Sequence, residues 1–166
     1  MKSDRKMEKR QNIRLYLPAQ EDLWFRRSLL EDPETMSYNR AWGGTIPFPR
    51  EQWDEWYTRW IRCADGKRFY RYITADCSRI FVGETAYHYD PDSGSWLADV
   101  IIHARYRGRG YGREGLRLLC EAARTNGIAV LKDTIAADNP AVRLFLQEGF
   151  AVESMTDQIV TVAKKL

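Results

Sequence analysis

The chain opens with alternating apolar and polar side chains. Ile13-Arg14-Leu15-Tyr16-Leu17 has the two-residue period of a strand, and Pro18 ends it. The period then lengthens. From Gln20, the positions Leu23, Trp24, Arg27 and Leu30, with Glu21 and Asp22 in an acidic first turn, predict an amphipathic helix that breaks at Asp32-Pro33. Residues 38–49 hold Trp42, Gly43, Gly44, Pro47 and Pro49, too broken for regular structure and too aromatic for a plain linker. They read as a loop packed on the core, compatible with part of a substrate-binding wall. Over residues 50–62, Trp53, Trp56, Tyr57, Trp60 and Ile61 recur at three-four spacing, the core-facing stripe of a second helix.

Strand formers dominate the middle. Residues 68–74 and 80–89 are rich in β-branched and aromatic side chains, and the break at 75–79 is short enough for a hairpin. Asp90-Pro91-Asp92-Ser93-Gly94-Ser95 is a turn, and a third strand runs from Trp96 to about His103. Three strands with short links make an antiparallel meander. A glycine-rich turn follows, then a helix over 112–124 with Leu116, Leu119, Cys120 and Ala123 on one face. Residues 129–136 form a strand that crosses back over this helix and so lies parallel to the Trp96 strand. Asp138-Asn139-Pro140 starts a helix over 141–148, Gly149 stops it, and residues 150–155 and 158–163 form a last strand pair. The order predicts a mixed α/β (α+β) sheet with helices on both sides. Residues 1–12, charged and without an apolar centre, read as a flexible tail; residues 13–166 read as a single domain.

Composition removes several function classes. A chain of 166 residues with 44% hydrophobic content supports a real core. Its net charge of +3, with five of the basic residues in the first ten, lacks the concentrated basic face of a nucleic-acid binder. Cys63, Cys77 and Cys120 lack close spacing and read as free thiols of a reducing compartment. With only His88 and His103 available, no metal site is expected. No apolar run reaches transmembrane length, so a cytoplasmic protein without a membrane partner is expected.

The chemistry concentrates at Arg107-Gly108-Arg109-Gly110-Tyr111-Gly112, between a strand and a helix. The first amides of a helix lack internal partners and carry the positive end of its dipole. Glycines let the backbone curl so that several N–H groups converge on one phosphate, and Arg107, Arg109 and Arg113 add charge. No Lys-Ser or Lys-Thr follows, so this is not a Walker loop. Gly110, Gly112 and Gly115 do match G-x-G-x-x-G, with Asp133 about twenty residues on, but inside a strand rather than at its end. Dinucleotide binding is therefore a minor alternative.

The same loop resembles the signature of the GNAT superfamily of acyl-CoA-dependent N-acyltransferases: Gln or Arg, two residues, Gly, one residue, then Gly or Ala. Arg107, Gly110 and Gly112 match it. The element order is similar to that fold over residues 13–163, and the stretch 139–150 resembles a second family segment. That segment begins with an Asn near CoA and ends with an aromatic, three residues, then Gly-Phe; Phe145, Gly149 and Phe150 fit. The interval from Asn139 is one residue shorter than usual, so either Asp138 or Asn139 stands at the CoA-facing position.

The resemblance implies a GNAT-like fold: a mostly antiparallel sheet with two splayed parallel strands and acetyl-CoA between them. The pyrophosphate would lie at Arg107, Gly108, Arg109, Gly110, Tyr111, Gly112 and Arg113, the pantetheine along Ile101 and Ile102, and Asn139 and Phe145 close by. It implies direct acetyl transfer to a primary amine of a small molecule or protein, by a chain that could pair as a homodimer. Such transfer needs a proton acceptor for the amine and a donor for the developing oxyanion, but no covalent enzyme intermediate. Cys120, beside Leu116 and Leu119, is therefore expected in the core.

Glu84, on the strand next to the acyl site, is the expected base, and Asp99 on the neighbouring strand is its rival. Family members commonly carry a tyrosine at the position of Phe145 as acid for the departing thiolate. Phenylalanine has no proton to give, which leaves Tyr38, Tyr87, water or no acid at all. Asp32 and Glu34, in the stretch that builds the acceptor wall, fit a cationic amine. Two other readings stand beside this one. One is a non-catalytic acyl-CoA sensor or partner domain. The other is a nucleic-acid module using the arginine-glycine loop.

Overall fold

A computed structural model of the chain describes residues 12–75 and 79–166; nearly all of the expected tail and the centre of the expected hairpin break lie outside the described residues. Seven strands, β1 (Ile13–Tyr16), β2 (Arg68–Ala75), β3 (Ile80–Asp90), β4 (Ser95–Ile102), β5 (Val130–Ala136), β6 (Ala151–Met155) and β7 (Ile159–Lys165), form one sheet. Their order is β1-β2-β3-β4-β5-β7-β6. All neighbours pair antiparallel except β4 and β5. The meander β2–β3–β4 and the parallel return to β5 are both as the sequence predicts. The parallel pair is in register only at Leu97 and Lys132, and beyond that point the two strands part.

On one face lies α3 (Tyr111–Thr125), with Leu116, Leu119, Cys120 and Ala123 buried against Tyr87, Ala98, Leu131 and Ile135. Burying each of those leucines contributes about 1.5–3 kcal/mol. Cys120 is a core residue, as expected, and burial pushes its thiol pKa up, away from the reactive thiolate. Gly115 has a packing role. A Cβ there would fall 2.5 Å from Ile73 Cδ1, so the glycine lets α3 approach β2, which accounts for it without any dinucleotide. The next helix, α4 (Ala141–Gln147), adds Phe145 to the same core.

The opposite face carries α1 (Leu23–Glu31) and α2 (Trp53–Tyr57). Two local predictions change here. Residues 50–62 are not one uniform helix: a 3-10 turn (Arg50–Gln52) precedes α2, and a π turn (Thr58–Arg62) follows it, closed by Cys63 N donating to Thr58 O at 2.9 Å. The π turn places the Trp60 ring parallel to Trp56, with centroids 5.9 Å apart, so the aromatic stripe is core as predicted although its backbone is not regular. Residues expected to form a turn and loop instead make a 3-10 helix, Thr35–Trp42. Asp32 caps it by accepting from Thr35 N at 3.0 Å and from the Thr35 hydroxyl, and Gly43, at φ 103°, ends it.

A buried charge ties α1 to the sheet. The Arg26 guanidinium donates to Glu84 on β3 and lies 4.6 Å over the Trp56 ring. The Tyr70 hydroxyl donates to the same carboxylate. Burial works against the charge on Arg26, but Glu84 and Tyr70 together outweigh it and the guanidinium pKa rises. Burial and the nearby Glu84 charge together hold the Tyr70 phenol well above its ordinary range, so it stays a donor.

Two outcomes follow for stability. Glu84→Ala leaves the Arg26 charge buried and alone, which should cost about 3–5 kcal/mol and lower the urea midpoint accordingly. Gly83→Ala puts a Cβ 2.4 Å from the Ile101 carbonyl oxygen and 2.7 Å from Ile102 Cδ1. Backbone must move there, so a loss of about 1–3 kcal/mol is expected in the same measurement.

Candidate active site

Where β4 and β5 part, a cavity of about 480 Å³ opens. Residues 99–102 form one side and residues 133–136 the other, with the glycine loop, the start of α4 and the 3-10 helix Thr35–Trp42 closing the rim.

The loop end of this cleft is built to take an anion. Gly108 (φ 73°) and Gly110 (φ 88°) occupy the left-handed region, where a side chain would be strained. Their turn brings the first amides of α3 to the cleft. Helical bonding begins with Glu114 N donating to Gly110 O at 3.2 Å, so the amides of Tyr111, Gly112 and Arg113 precede it. Gly112 is tightly placed: a Cβ would lie 3.4 Å from both Ile102 Cγ1 and Leu144 Cδ2. Gly108, Gly110, Tyr111 and Gly112 all line the cleft.

The three arginines do not act alike. Arg107 lines the cleft, but its guanidinium donates to the carbonyls of Glu34 (3.2 Å) and Thr35 and lies 4.4 Å over the Tyr38 ring. Arg109 is exposed beside Tyr106, and Arg113 donates to the Glu148 carboxylate; neither lines the cavity.

The middle of the cleft suits an extended acyl chain. Ile101 and Ile102 pair with Glu84 and Gly83 on the β3 side, while their other edge faces the gap. Asn139 lines the cleft and Asp138 does not; the Asn139 side chain accepts from Ala141 N at 2.8 Å and so caps α4. Phe145 also lines it, held edge-on against Phe150 at 4.9 Å. These features fit the diphosphate and the arm of acetyl-CoA.

Among the expected acids, Glu84 is turned into the Arg26–Tyr70 cluster and does not line the cleft. Asp99 does line it, with Oδ2 3.9 Å from His88 Nδ1. Across the gap on β5 stands a carboxylate that sequence reasoning did not assign to catalysis, Asp133, whose Oδ1 accepts from Thr134 N at 2.7 Å.

Burial in the crowded floor raises the pKa of Asp99; His88 opposes this and the Glu84 charge adds to it. Its side chain is still 56% exposed to the cleft, so water softens the effect. Burial, and then the Asp99 charge, hold Asp133 well above the ordinary carboxylate range. The available signal was the run Lys132-Asp133-Thr134, three polar residues inside a central strand that should read apolar.

Tyr38 lines the cleft. Tyr87 is buried on the α3 face, where it accepts from Asn126 at 2.6 Å, and so is remote from the site. Asp32 is spent on Thr35, and neither it nor Glu34 lines the cavity. Among the described residues, no group of three or more His, Cys, Asp or Glu could hold a metal, and no helix is long and apolar enough to cross a membrane.

Comparison with known proteins adds a family to this geometry. No curated protein sequence matches the chain. Solved structures do. A ribosomal-protein-alanine N-acetyltransferase from Brucella melitensis is 22% identical, with a TM-score of 0.70 over 93% of this chain and 99% of that one. A spermidine N-acetyltransferase from Vibrio cholerae, in complex with CoA and spermine, is 18% identical, with a TM-score of 0.75 over 92% and 95%. A protein of Salmonella typhimurium, described as an acetyltransferase with its cofactor acetyl-CoA, is 18% identical, with a TM-score of 0.73 over 95% of each chain. At these identities the likeness establishes the fold. The family model for the acetyltransferase (GNAT) domain matches residues 12–150, most of the chain. The chain is therefore a member of the GNAT acetyltransferase family, whose acyl donor is acetyl-CoA.

Proposed function

We propose that this protein transfers the acetyl group of acetyl-CoA to a cationic primary amine, with Asp99 as the proton acceptor. The observation that carries this reading is that Asp99 on β4 and Asp133 on β5 both line the cavity opened by the parting of those strands, which also holds the glycine cradle.

Acetyl-CoA, when bound, supplies the acetyl thioester. The residues of the chain divide the remaining work. The amides at the start of α3 receive the diphosphate, and the free edge of β4 at Ile101 and Ile102 orients the arm. Asp99 attracts the ammonium group of the acceptor; one proton leaves to water, which frees the lone pair for attack, and Asp99 takes the second as the C–N bond forms. Asp133, whose carboxyl holds its proton well above the ordinary carboxylate range, supplies through Oδ2 the acid that Phe145 lacks. As the C–S bond breaks the thiolate takes the Asp133 proton, so Asp99 ends protonated and Asp133 ionised, and exchange with water restores both. Two carboxylates with environments that separate their pKa values are a recurrent acid and base arrangement. Glu84, the base expected from strand position, is assigned instead to holding Arg26.

Charge and lining support a cationic acceptor with an aliphatic or aromatic stem. Met36, Tyr38 and Trp42 give an apolar rim beside the carboxylates. The activities named for the similar structures, on spermidine and on a ribosomal-protein alanine, both concern amines that are cations at neutral pH. Spermidine and a peptide with an N-terminal alanine are therefore the first probes.

Acetyl-CoA at a hundredfold excess over Kd should stabilise the fold by about 2.7 kcal/mol, and thiol should appear when a suitable amine is added. Binding without thiol release across a broad amine panel would leave only an acyl-CoA-binding domain. Asp99→Asn should lower kcat by about 10²–10⁴-fold with little change in acetyl-CoA affinity; an unchanged kcat removes Asp99 as the base.

Asp133 makes a separate prediction about pH. Below about pH 3.9 the carboxyl is protonated whether the chain is folded or not. As pH rises, the unfolded chain ionises first, and stability falls until the raised pKa of the folded form is passed. Asp133→Asn cannot ionise. Its Tm should match wild type near pH 3.5 and exceed it by a widening margin above about pH 4, while kcat drops.

A further inference from the structure

Arg107 matches the first position of the glycine-loop signature, yet its guanidinium points away from the loop's amides. It reaches back more than seventy residues along the chain, donating through Nη1 to Glu34 O and through Nη2 to Thr35 O. Its plane lies 4.4 Å over the Tyr38 ring. A second bond runs between the same two segments: Ala104 N donates to Thr35 Oγ1 at 3.0 Å. So the 3-10 helix Thr35–Trp42, which brings Met36, Tyr38 and Trp42 to the cleft, hangs on residues 104–107.

The far end of that helix is tied to nearby residues, with Asn39 Nδ2 donating to Gly44 O at 2.8 Å and Ile46 N to Leu30 O at 2.9 Å, so residues 104–107 are its link to the donor loop. Thr35 and Met36 are buried, but Tyr38 and residues 40–43 are exposed, and a 3-10 helix of eight residues has weak internal bonding. A planar fork that satisfies two carbonyls and stacks on a ring at once is work for arginine and not for lysine.

We infer that Arg107 is a positioning residue that couples the donor loop to the acceptor wall, so that CoA held at the loop orders residues 35–44. The inference rests on the acetyltransferase reading above. Diphosphate bound by the amides at the start of α3 fixes the loop. The fixed loop holds Arg107, and Arg107 holds the wall. Coupling of this kind has a magnitude of about 5–150-fold in affinity and is reciprocal.

Hydrogen exchange on the full chain with CoA as the probe tests this without knowing the acceptor. In wild type, CoA should slow exchange at least fivefold both at residues 108–114 and at residues 35–44. In Arg107→Met, CoA should still protect 108–114, with a Kd within threefold of wild type, but leave 35–44 unprotected. Arg107→Lys should behave like Arg107→Met, and Tyr38→Leu, at an exposed ring, should weaken protection of 35–44 alone.

The inference is overturned if CoA protects 35–44 equally in wild type and Arg107→Met. It is also overturned if Arg107→Met raises the CoA Kd tenfold or more and lysine restores it, since Arg107 would then be a phosphate ligand. Should wild type fail to bind CoA at all, the acetyltransferase reading falls first and this one with it. If Arg107→Met does not fold, the Tyr38→Leu result decides: unchanged protection at 35–44 counts against the latch.

Discussion

The parting of β4 from β5 after Leu97 and Lys132 is the constraint on which the molecule turns. A continuous sheet would pair the main chain of residues 99–102 with a neighbour. The gap leaves those groups to water or to a ligand, and unpaired backbone donors and acceptors are costly to bury. The gap is kept open by what surrounds it. Leu116, Leu119 and Ala123 fix α3 on β3 and β4, which sets the start of that helix over the ends of the parted strands. On the far side, β7 pairs with β5 along its whole length and holds it in place. Packing remote from the cleft thus maintains an opening that the sheet alone would close.

The same opening brings two carboxylates, Asp99 and Asp133, to one cavity. In a solvated turn, Asp99 and Asp133 would both ionise without consequence. Between crowded strands burial raises the pKa of both, and the Asp99 charge raises that of Asp133 further. A carboxyl that holds its proton more tightly than usual is useful to a chain whose α4 brings only Ala141, Leu144 and Phe145 to the cleft, none with a proton to give. Here stability and chemistry pull against each other at named atoms, a common tension at functional sites.

The readable parts of the sequence were those fixed by local pattern. Strand alternation, the Asp90–Ser95 turn, the glycine loop and the α3 stripe each depend on near neighbours, and the structure has them as predicted. The helix Thr35–Trp42 was missed because its supports are not local. Asp32 caps one end, but Arg107 and Ala104, about seventy residues on, hold the carbonyls and the hydroxyl. The π turn after α2 follows from ring packing of Trp56, Trp60 and Tyr70 rather than from propensity. In the site, the anion cradle was legible because glycine and helix start are adjacent in sequence. The two cleft carboxylates, Asp99 and Asp133, were not, since they reach one cavity only because strands far apart in sequence lie side by side and then part.

The Arg26–Glu84 contact spans 58 positions of sequence and sits between α1 and the sheet with little access to water. Neither charge is tolerable there without the other, whereas two well-fitted apolar side chains would be. The two positions are therefore not free to drift separately. Any lineage that changes one must pass quickly to a change in the other. Chains descended from a common ancestor with this one should carry either both charges or neither, a link in inheritance imposed by the low polarity of one small volume under α1.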